Sequence, residues 1–274
     1  MDLLLLLQAA IMGIVEGITE FLPISSTGHL FLAAELMDFW TKEKSDVFVI
    51  AIQMGAIIAV IYEYWARLWG AATGMFTGEI RGRRLGFSLI MASIPIMIIG
   101  LTFGQAVKGL LFNDIAVAIG LIVGGLIIMW IEKNPRPVNA QEVENISYKE
   151  AMWIGLIQVL SLIPGTSRSG ATIIGAMFLG ISRKAATEFS FFLGIPVIVG
   201  AGLLDLYQSY DVFESTQDWA VLATGIIVSF VSALILIRVL VAYVAKRDFM
   251  VFAWYRIISG LVILLFAFTG WKLW

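Results

Sequence analysis

Cysteine is absent from this chain of 274 residues, so disulfides, thiolate nucleophiles and thiolate metal sites are excluded. Histidine occurs once, at His29, and no HExxH pair exists. Glycine-rich phosphate loops are missing too, since the chain holds neither GxGxxG nor a P-loop, and there is no CxxC. Charge is scarce at 14% of residues, and a formal net charge of −2 leaves no basic footprint, so nucleic acid is not expected as a partner. Apolar residues do not alternate with polar ones as they would in the strands of an outer-membrane barrel. The opening residues, MDLLLLLQAA, carry an acid and no base, so a cleaved signal peptide is not expected.

What remains is apolar. Sixty per cent of the residues are hydrophobic, and the mean hydropathy is +0.93. Long apolar runs at 46–66, 84–104, 113–131, 186–207, 219–241 and 250–272 are each long enough for a membrane-spanning helix. Two further segments, 3–38 and 148–181, break at Pro23 and Pro164 and continue with a polar cluster and a short apolar stretch. At about 1.5 Å of rise per residue that second stretch is too short to cross a bilayer. Each segment therefore reads as a re-entrant helical hairpin, whose polar tip must be covered by protein or line a wet cavity.

The two hairpins are copies of each other. GIVEGITEFLPISSTGHL begins at Gly13 and GLIQVLSLIPGTSRSGAT at Gly155; in register, Glu16 meets Gln158, Ser25 meets Ser167, Ser26 meets Arg168, and Gly28 meets Gly170. Basic residues then set the orientation. Arg67, Arg81, Arg83, Arg84, Lys133, Arg136, Lys149, Arg183, Lys184, Lys246 and Arg247 fall in one set of loops, against Lys42, Lys44, Lys108 and Lys272 in the other. Asp205, Asp211, Glu214 and Asp218 sit in a base-free loop of that second set. The positive-inside rule makes the first set cytoplasmic and puts both termini outside. The expected fold is an all-α integral membrane protein with six transmembrane helices and two re-entrant hairpins in an inverted-topology repeat. Its units are 1–131, a cytoplasmic linker at 132–147, and 148–274.

Chemistry concentrates at the hairpin tips. Glu16 and Glu20 lie one helical turn apart on one face. Two carboxylates in an apolar helix must share a proton, pair with a base, hold a divalent cation, or lie hydrated at the interface. Ser25, Ser26, Thr27 and His29 follow, a hydroxyl nucleophile beside a potential base. In the second tip, Gly165, Ser167, Arg168, Ser169, Gly170 and Thr172 open a helix: a planar guanidinium, small hydroxyls and free N–H groups suited to phosphate. Opposed to the carboxylates and a metal, this loop forms half of a diphosphate cradle. Arg238 and Arg256 read as arginines snorkelling to the interface, and Glu63 and Glu188 as residues near cytoplasmic span ends, with Glu188 suited to the positive N-terminus of its helix.

At these residues the chain resembles the bacitracin-resistance family of undecaprenyl-diphosphate phosphatases. Glu16 to His29 matches the family's ExxxE followed by FxPxSSxGH, and Pro164 to Thr172 matches its PGxSRSxxT, with no departure at the motif positions. The resemblance implies dephosphorylation of undecaprenyl diphosphate on the outer face of a bacterial inner membrane. That reaction recycles the lipid carrier for cell-wall synthesis. It also implies a divalent cation, magnesium or calcium, which Glu16 and Glu20 would hold. Ser26 is the expected nucleophile, with His29 or Glu20 as its proton acceptor; a phosphohistidine at His29 or direct attack by water is the runner-up. Arg168, with Ser167, Ser169, Thr172, Gly165 and Gly170, would take the developing charge, and Ser25 and Thr27 would line the site. The SSTGH and Ser167-Arg168 segments also echo the type-2 acid phosphatase superfamily, but its distal histidine has no counterpart here. A lipid-phosphate transporter on the same scaffold is the alternative from another class. Polyprenyl diphosphate and membrane lipid are the expected partners, and a homodimer is left open.

Overall fold

The computed structural model describes residues 2–111 and 113–269, with backbone alone at 104–111, 205, 206, 208, 210 and 269. It is built of helices α1 (Leu3–Thr19), α2 (Ser26–Leu36), α3 (Lys42–Glu63), α4 (Trp65–Thr77), α5 (Ile80–Leu111), α6 (Asp114–Lys133), α7 (Tyr148–Gln158), α8 (Arg168–Phe178), α9 (Arg183–Ser209), α10 (Thr216–Val244) and α11 (Met250–Thr269). Six of these are long and apolar enough to cross a membrane, and they fall where the apolar runs place them: Lys42–Glu63, Ile80–Phe103, Asp114–Lys133, Arg183–Leu204, Thr216–Val244 and Met250–Phe268. Lys272 and the side chains of Lys108 and Asp205, used above for orientation, lie outside the described residues, as do 270–272 of the last run.

Helix α4 was not evident in the sequence. Its thirteen residues hold two tryptophans, Trp65 and Trp69, exposed and stacked with ring centroids 5.8 Å apart. Gly78, at φ 80°, ends it in the left-handed conformation that a glycine C-cap provides.

Helix packing crosses between the two ends of the chain. α1 packs on α10 and α7 on α5; α3 meets both α9 and α10, α5 meets α9, and α6 packs along α11. The short pairs α1–α2 and α7–α8 are therefore each clasped by a long helix from the opposite half. Close approach of α1 to α10 depends on Gly13 and Gly17, four residues apart, the small-residue spacing that lets helix backbones meet in lipid. A Cβ at Gly17 would lie 2.6 Å from the Ser229 carbonyl oxygen and 2.7 Å from the Ala233 nitrogen.

Ion pairs tie span ends together. Lys44 on α3 reaches Asp218 on α10 at 2.8 Å. Arg67 holds Glu144 at 2.8 Å and Glu188 at 2.9 Å, and Arg183 pairs with Glu132. Arg238 pairs with Glu63 at 2.7 Å while its side chain stays 61% exposed, as an arginine snorkelling to the interface would. Glu188 answers Arg67 rather than a helix terminus. The pairs of Arg67 and Arg183 join residues that the charge distribution places on one side of the membrane, and Lys44 with Asp218 joins two that it places on the other.

Gly17→Ala is expected to destabilise the protein by about 1–3 kcal/mol, because the new methyl group meets α10 backbone that cannot yield. Gly70→Ala, where a Cβ meets nothing within 4 Å, is expected to cost nothing. Thermal melting of both variants in detergent checks the contrast.

Candidate active site

The two motif loops meet inside the helical bundle. α1 ends at Thr19, and the chain turns through Phe21–Ile24 before α2 begins at Ser26. In the second half a 3₁₀ turn at Val159–Leu162 and the Pro164-Gly165-Thr166-Ser167 segment lead into α8. Ser25 and Ser167, the residues before α2 and α8, have φ of 74° and 70°. Matching positions of the two segments thus share the same uncommon left-handed backbone, where a non-glycine residue carries strain. Gly165 also has positive φ, 81°, and a Cβ there would lie 2.2 Å from the Val117 carbonyl oxygen.

Side chains link the loops directly. Arg168 Nη2 donates to Glu20 Oε1 at 2.7 Å, and the two side chains are 12% and 7% exposed. The other carboxylate oxygen, Oε2, accepts from Ser26 Oγ at 2.6 Å. Glu20 therefore joins the hydroxyl of one motif to the guanidinium of the other. Arg168 Nη1 donates to the Ser190 carbonyl at 2.8 Å. Ser169 Oγ donates to the Leu22 carbonyl at 2.8 Å, a second bridge between the loops. Ser167 Oγ accepts from the Gly170 N–H at 3.1 Å and so caps α8. Thr172 Oγ1 lies 3.0 Å from the Arg168 carbonyl and 2.6 Å from Ser190 Oγ, which directs it to α9. Thr27 is half-buried at the start of α2.

Glu16, Glu20, Ser25, Ser26, Ser167, Arg168, Ser169 and Thr172 are brought together. His29 points elsewhere: its Nδ1 faces the Ser25 carbonyl oxygen at 2.8 Å, and its Nε2 meets the hydroxyl of Tyr255 on α11. Ser26 has Glu20, not His29, as its hydrogen-bond partner.

Arg256 corrects the sequence reading. It does not snorkel; it is 1% exposed and lies between the loops. Nη1 donates to the carbonyls of Pro23 at 2.9 Å and Thr166 at 3.0 Å, and Nη2 to those of Gly120 and Gly165, both at 2.9 Å. Five donors in a planar fork suit this role, because irregular backbone at membrane depth leaves carbonyls that water does not reach. Ser190 and Tyr255 were likewise missed. Neither stands out in sequence, one being a serine in an apolar helix and the other an aromatic near a span end. Arg256 did leave a signal, a lone base inside an apolar run.

Glu16 is fully buried, and neither of its carboxylate oxygens has a hydrogen-bond partner among the described residues. Arg168 Nε is a buried donor in the same condition. Gln158, at the position matching Glu16, is also buried and leaves its Oε1 unpartnered. Buried polar atoms without partners are costly. Carboxyl oxygens suit a hard divalent cation, and the free N–H suits an anion, so the donor set fits a metal bound together with a phosphate. Among the described residues no group of three or more His, Cys, Asp or Glu is placed to hold a metal ion. A polar cavity of about 480 Å³ lies apart from the site, lined by Arg67, Arg81, Lys184 and glutamates including Glu144 and Glu188; it contains no motif residue.

Known proteins are similar in sequence to nearly the whole chain. The family model described as bacitracin resistance protein BacA matches residues 9–262. Undecaprenyl-diphosphatase 1 of Acinetobacter baylyi is 82% identical over 274 residues, covering both chains in full. Undecaprenyl-diphosphatase of Psychrobacter arcticus is 61% identical over 271 residues, 97% of each chain. Undecaprenyl-diphosphatase 2 of Rhodospirillum rubrum is 50% identical over 274 residues, all of this chain and 99% of its own.

Replacing Arg256 tests whether it holds the loops. Arg256→Met strands several buried carbonyls and is expected to cost at least about 3 kcal/mol of stability. Arg256→Lys, a point donor in place of a fork, is expected to fall between. Thermal melting of the two variants against the parent reads the order.

Proposed function

We infer that this chain, which belongs to the bacitracin resistance protein BacA family, removes the terminal phosphate of undecaprenyl diphosphate at the site between its two motif loops. The protein is an undecaprenyl-diphosphatase, a multi-pass integral membrane phosphatase. The observation that carries the choice of this site is a pair of complementary sets of unpartnered atoms: both carboxyl oxygens of Glu16 and the Nε donor of Arg168, all buried. A diphosphate accompanied by a divalent cation answers both.

Magnesium or calcium, when bound, supplies charge neutralisation at the phosphoryl oxygens. Glu16 would hold it, with Glu20, the residue that caps α1, beside it one turn on. Everything else falls to side chains of the chain itself. Arg168 offers Nε to a phosphoryl oxygen while Glu20 and Ser190 hold its two terminal nitrogens. The start of α8, with Ser167, Ser169 and the backbone at Gly170, presents further donors, and a planar guanidinium matches the equatorial oxygens of the transition state. Ser26 Oγ attacks the terminal phosphorus, its proton passes to Glu20 Oε2, and the anhydride P–O bond breaks to release undecaprenyl phosphate. Water then cleaves the phosphoserine, giving inorganic phosphate and returning the proton to Ser26. Both ring nitrogens of His29 already have partners, which favours Ser26 over His29 as the nucleophile.

The two halves are proposed as inverted copies with α1–α2 and α7–α8 re-entrant. Support comes from the exchange of packing partners, α1 on α10 against α7 on α5, and from the matching strained serines. On this topology the site opens outward in a bacterial inner membrane, where release of undecaprenyl phosphate would return the carrier lipid for cell-wall synthesis.

Purified protein in detergent is expected to release phosphate from undecaprenyl diphosphate; a transporter would release none. Glu20→Gln is expected to lose at least about 100-fold in turnover, since both the proton acceptor and the anchor of Arg168 are lost. Glu16→Gln is expected to shift half-maximal activity to higher magnesium or calcium concentration without loss of melting temperature, because the amide matches the buried carboxyl in volume. An unchanged metal requirement in Glu16→Gln would contradict the metal role of Glu16.

A further inference from the structure

The two strained serines are held in different ways. Ser167 caps its own helix, through the hydrogen bond from Gly170 N–H to its side chain at 3.1 Å. Ser25 makes no side-chain cap on α2. Its carbonyl is instead engaged from one turn along by the His29 ring, whose far edge is engaged in turn by Tyr255 from α11. The rings of His29 and Tyr255 stack, with centroids 5.6 Å apart and planes 17° from parallel.

Donor and acceptor rules fix the direction of this chain. A carbonyl oxygen only accepts, so Nδ1 carries the hydrogen that it donates to Ser25. In the neutral imidazole Nε2 is then a bare acceptor, and the Tyr255 hydroxyl must be its donor. The relay runs Tyr255 O–H to Nε2, then Nδ1–H to the Ser25 carbonyl. Ser25 precedes Ser26, whose Oγ must meet Glu20 Oε2 at 2.6 Å. On its other sides α2 packs against α1 and α3, so the Tyr255 contact carries the motif helix onto α11, next to the buried Arg256.

We propose that Tyr255 is a positioning residue for the phosphatase reaction: it locks His29 in the Nδ1–H form and, through the strained Ser25, aims the Ser26 hydroxyl at Glu20. The assignment rests on reading Ser26 as the nucleophile. It gives His29 a structural task in the resting enzyme, in place of direct proton transfer from Ser26. It also gives a span-end tyrosine, ordinarily a membrane-belt residue, a specific hydrogen-bonding duty.

His29 is the only histidine, so uniform histidine labelling with nitrogen-15 reports this one ring. The full-length protein in detergent or nanodiscs is expected to show a protonated Nδ1 and a bare Nε2. Tyr255→Phe keeps the stacked ring and removes only the hydroxyl. That variant is expected to show a mixture of tautomers and about a tenfold lower kcat, with KM within about twofold of the parent. A purely structural tyrosine would move melting temperature and leave the tautomer alone. A protonated Nε2 in the parent protein overturns the proposal even if Tyr255→Phe fails to fold. So does a Tyr255→Phe enzyme with the parent's spectrum and kcat. Ser26→Ala separates the two inferences: retained turnover there, with the parent nitrogen spectrum unchanged, would sink the nucleophile reading and leave the tautomer lock standing.

Discussion

A buried ion pair between the two halves of the chain, Glu20 with Arg168 at 2.7 Å, is the contact on which the rest of the site turns. Neither charge is tolerable alone at this depth, since an unpaired ion in an apolar interior costs several kcal/mol while a paired one roughly breaks even. The pairing requires the end of α1 and the start of α8 to meet although one motif is near the start of the chain and the other past its middle. The long helices α5 and α10 serve that need, each packing on the short pair of the other half. With Arg168 fixed, Glu20 turns its second oxygen to Ser26. One side chain thus joins an anion-binding guanidinium to a hydroxyl, the arrangement that phosphoryl transfer needs.

Irregular backbone in a low-dielectric interior imposes the second requirement. Loops at the tips of α1–α2 and α7–α8 leave carbonyls that a helix would have satisfied and that lipid cannot. Arg256 takes three of them with its terminal nitrogens, from Pro23, Gly165 and Thr166, together with the Gly120 carbonyl of α6. Because those carbonyls come from both motifs and from α6, one side chain of the last helix locks the two loops and a span into a single frame. Strain at Ser25 and Ser167 is sustainable in such a frame, where surrounding contacts over-determine the backbone.

Much of this was legible from the sequence. The six spans follow from hydropathy alone, because a helix in lipid needs little more than length and apolarity. The two tips were visible as polar clusters with no other reason to sit in apolar segments, and Glu16, Glu20, Ser26, Arg168 and Ser169 do converge. What the sequence withheld is direction. His29 beside a serine reads as that serine's base, yet on the first turns of α2 its ring reaches back to Ser25 and across to Tyr255. Arg256 reads as an interfacial anchor because residue type and position along a span do not show what lies across the bundle. Helix α4 escaped because thirteen residues with an arginine and two tryptophans look like a loop with belt aromatics. These are tertiary facts, set by which helix faces which, and no local pattern encodes them.

The resting geometry singles out Ser26 as the atom to watch. Its hydroxyl has a carboxylate partner, Glu20, that is itself paired with Arg168, while His29 is committed elsewhere and both Glu16 carboxyl oxygens are unpartnered. The most direct measurement is acid-quenched turnover of purified enzyme on undecaprenyl diphosphate, followed by mass spectrometry of the peptide spanning Glu20 to Leu30. A phosphate on Ser26 that appears during turnover and is absent in Ser26→Ala is the expected result. Phosphate on His29, or single-turnover kinetics in water enriched with oxygen-18 that release labelled phosphate with no phosphorylated enzyme at any quench time, would contradict it.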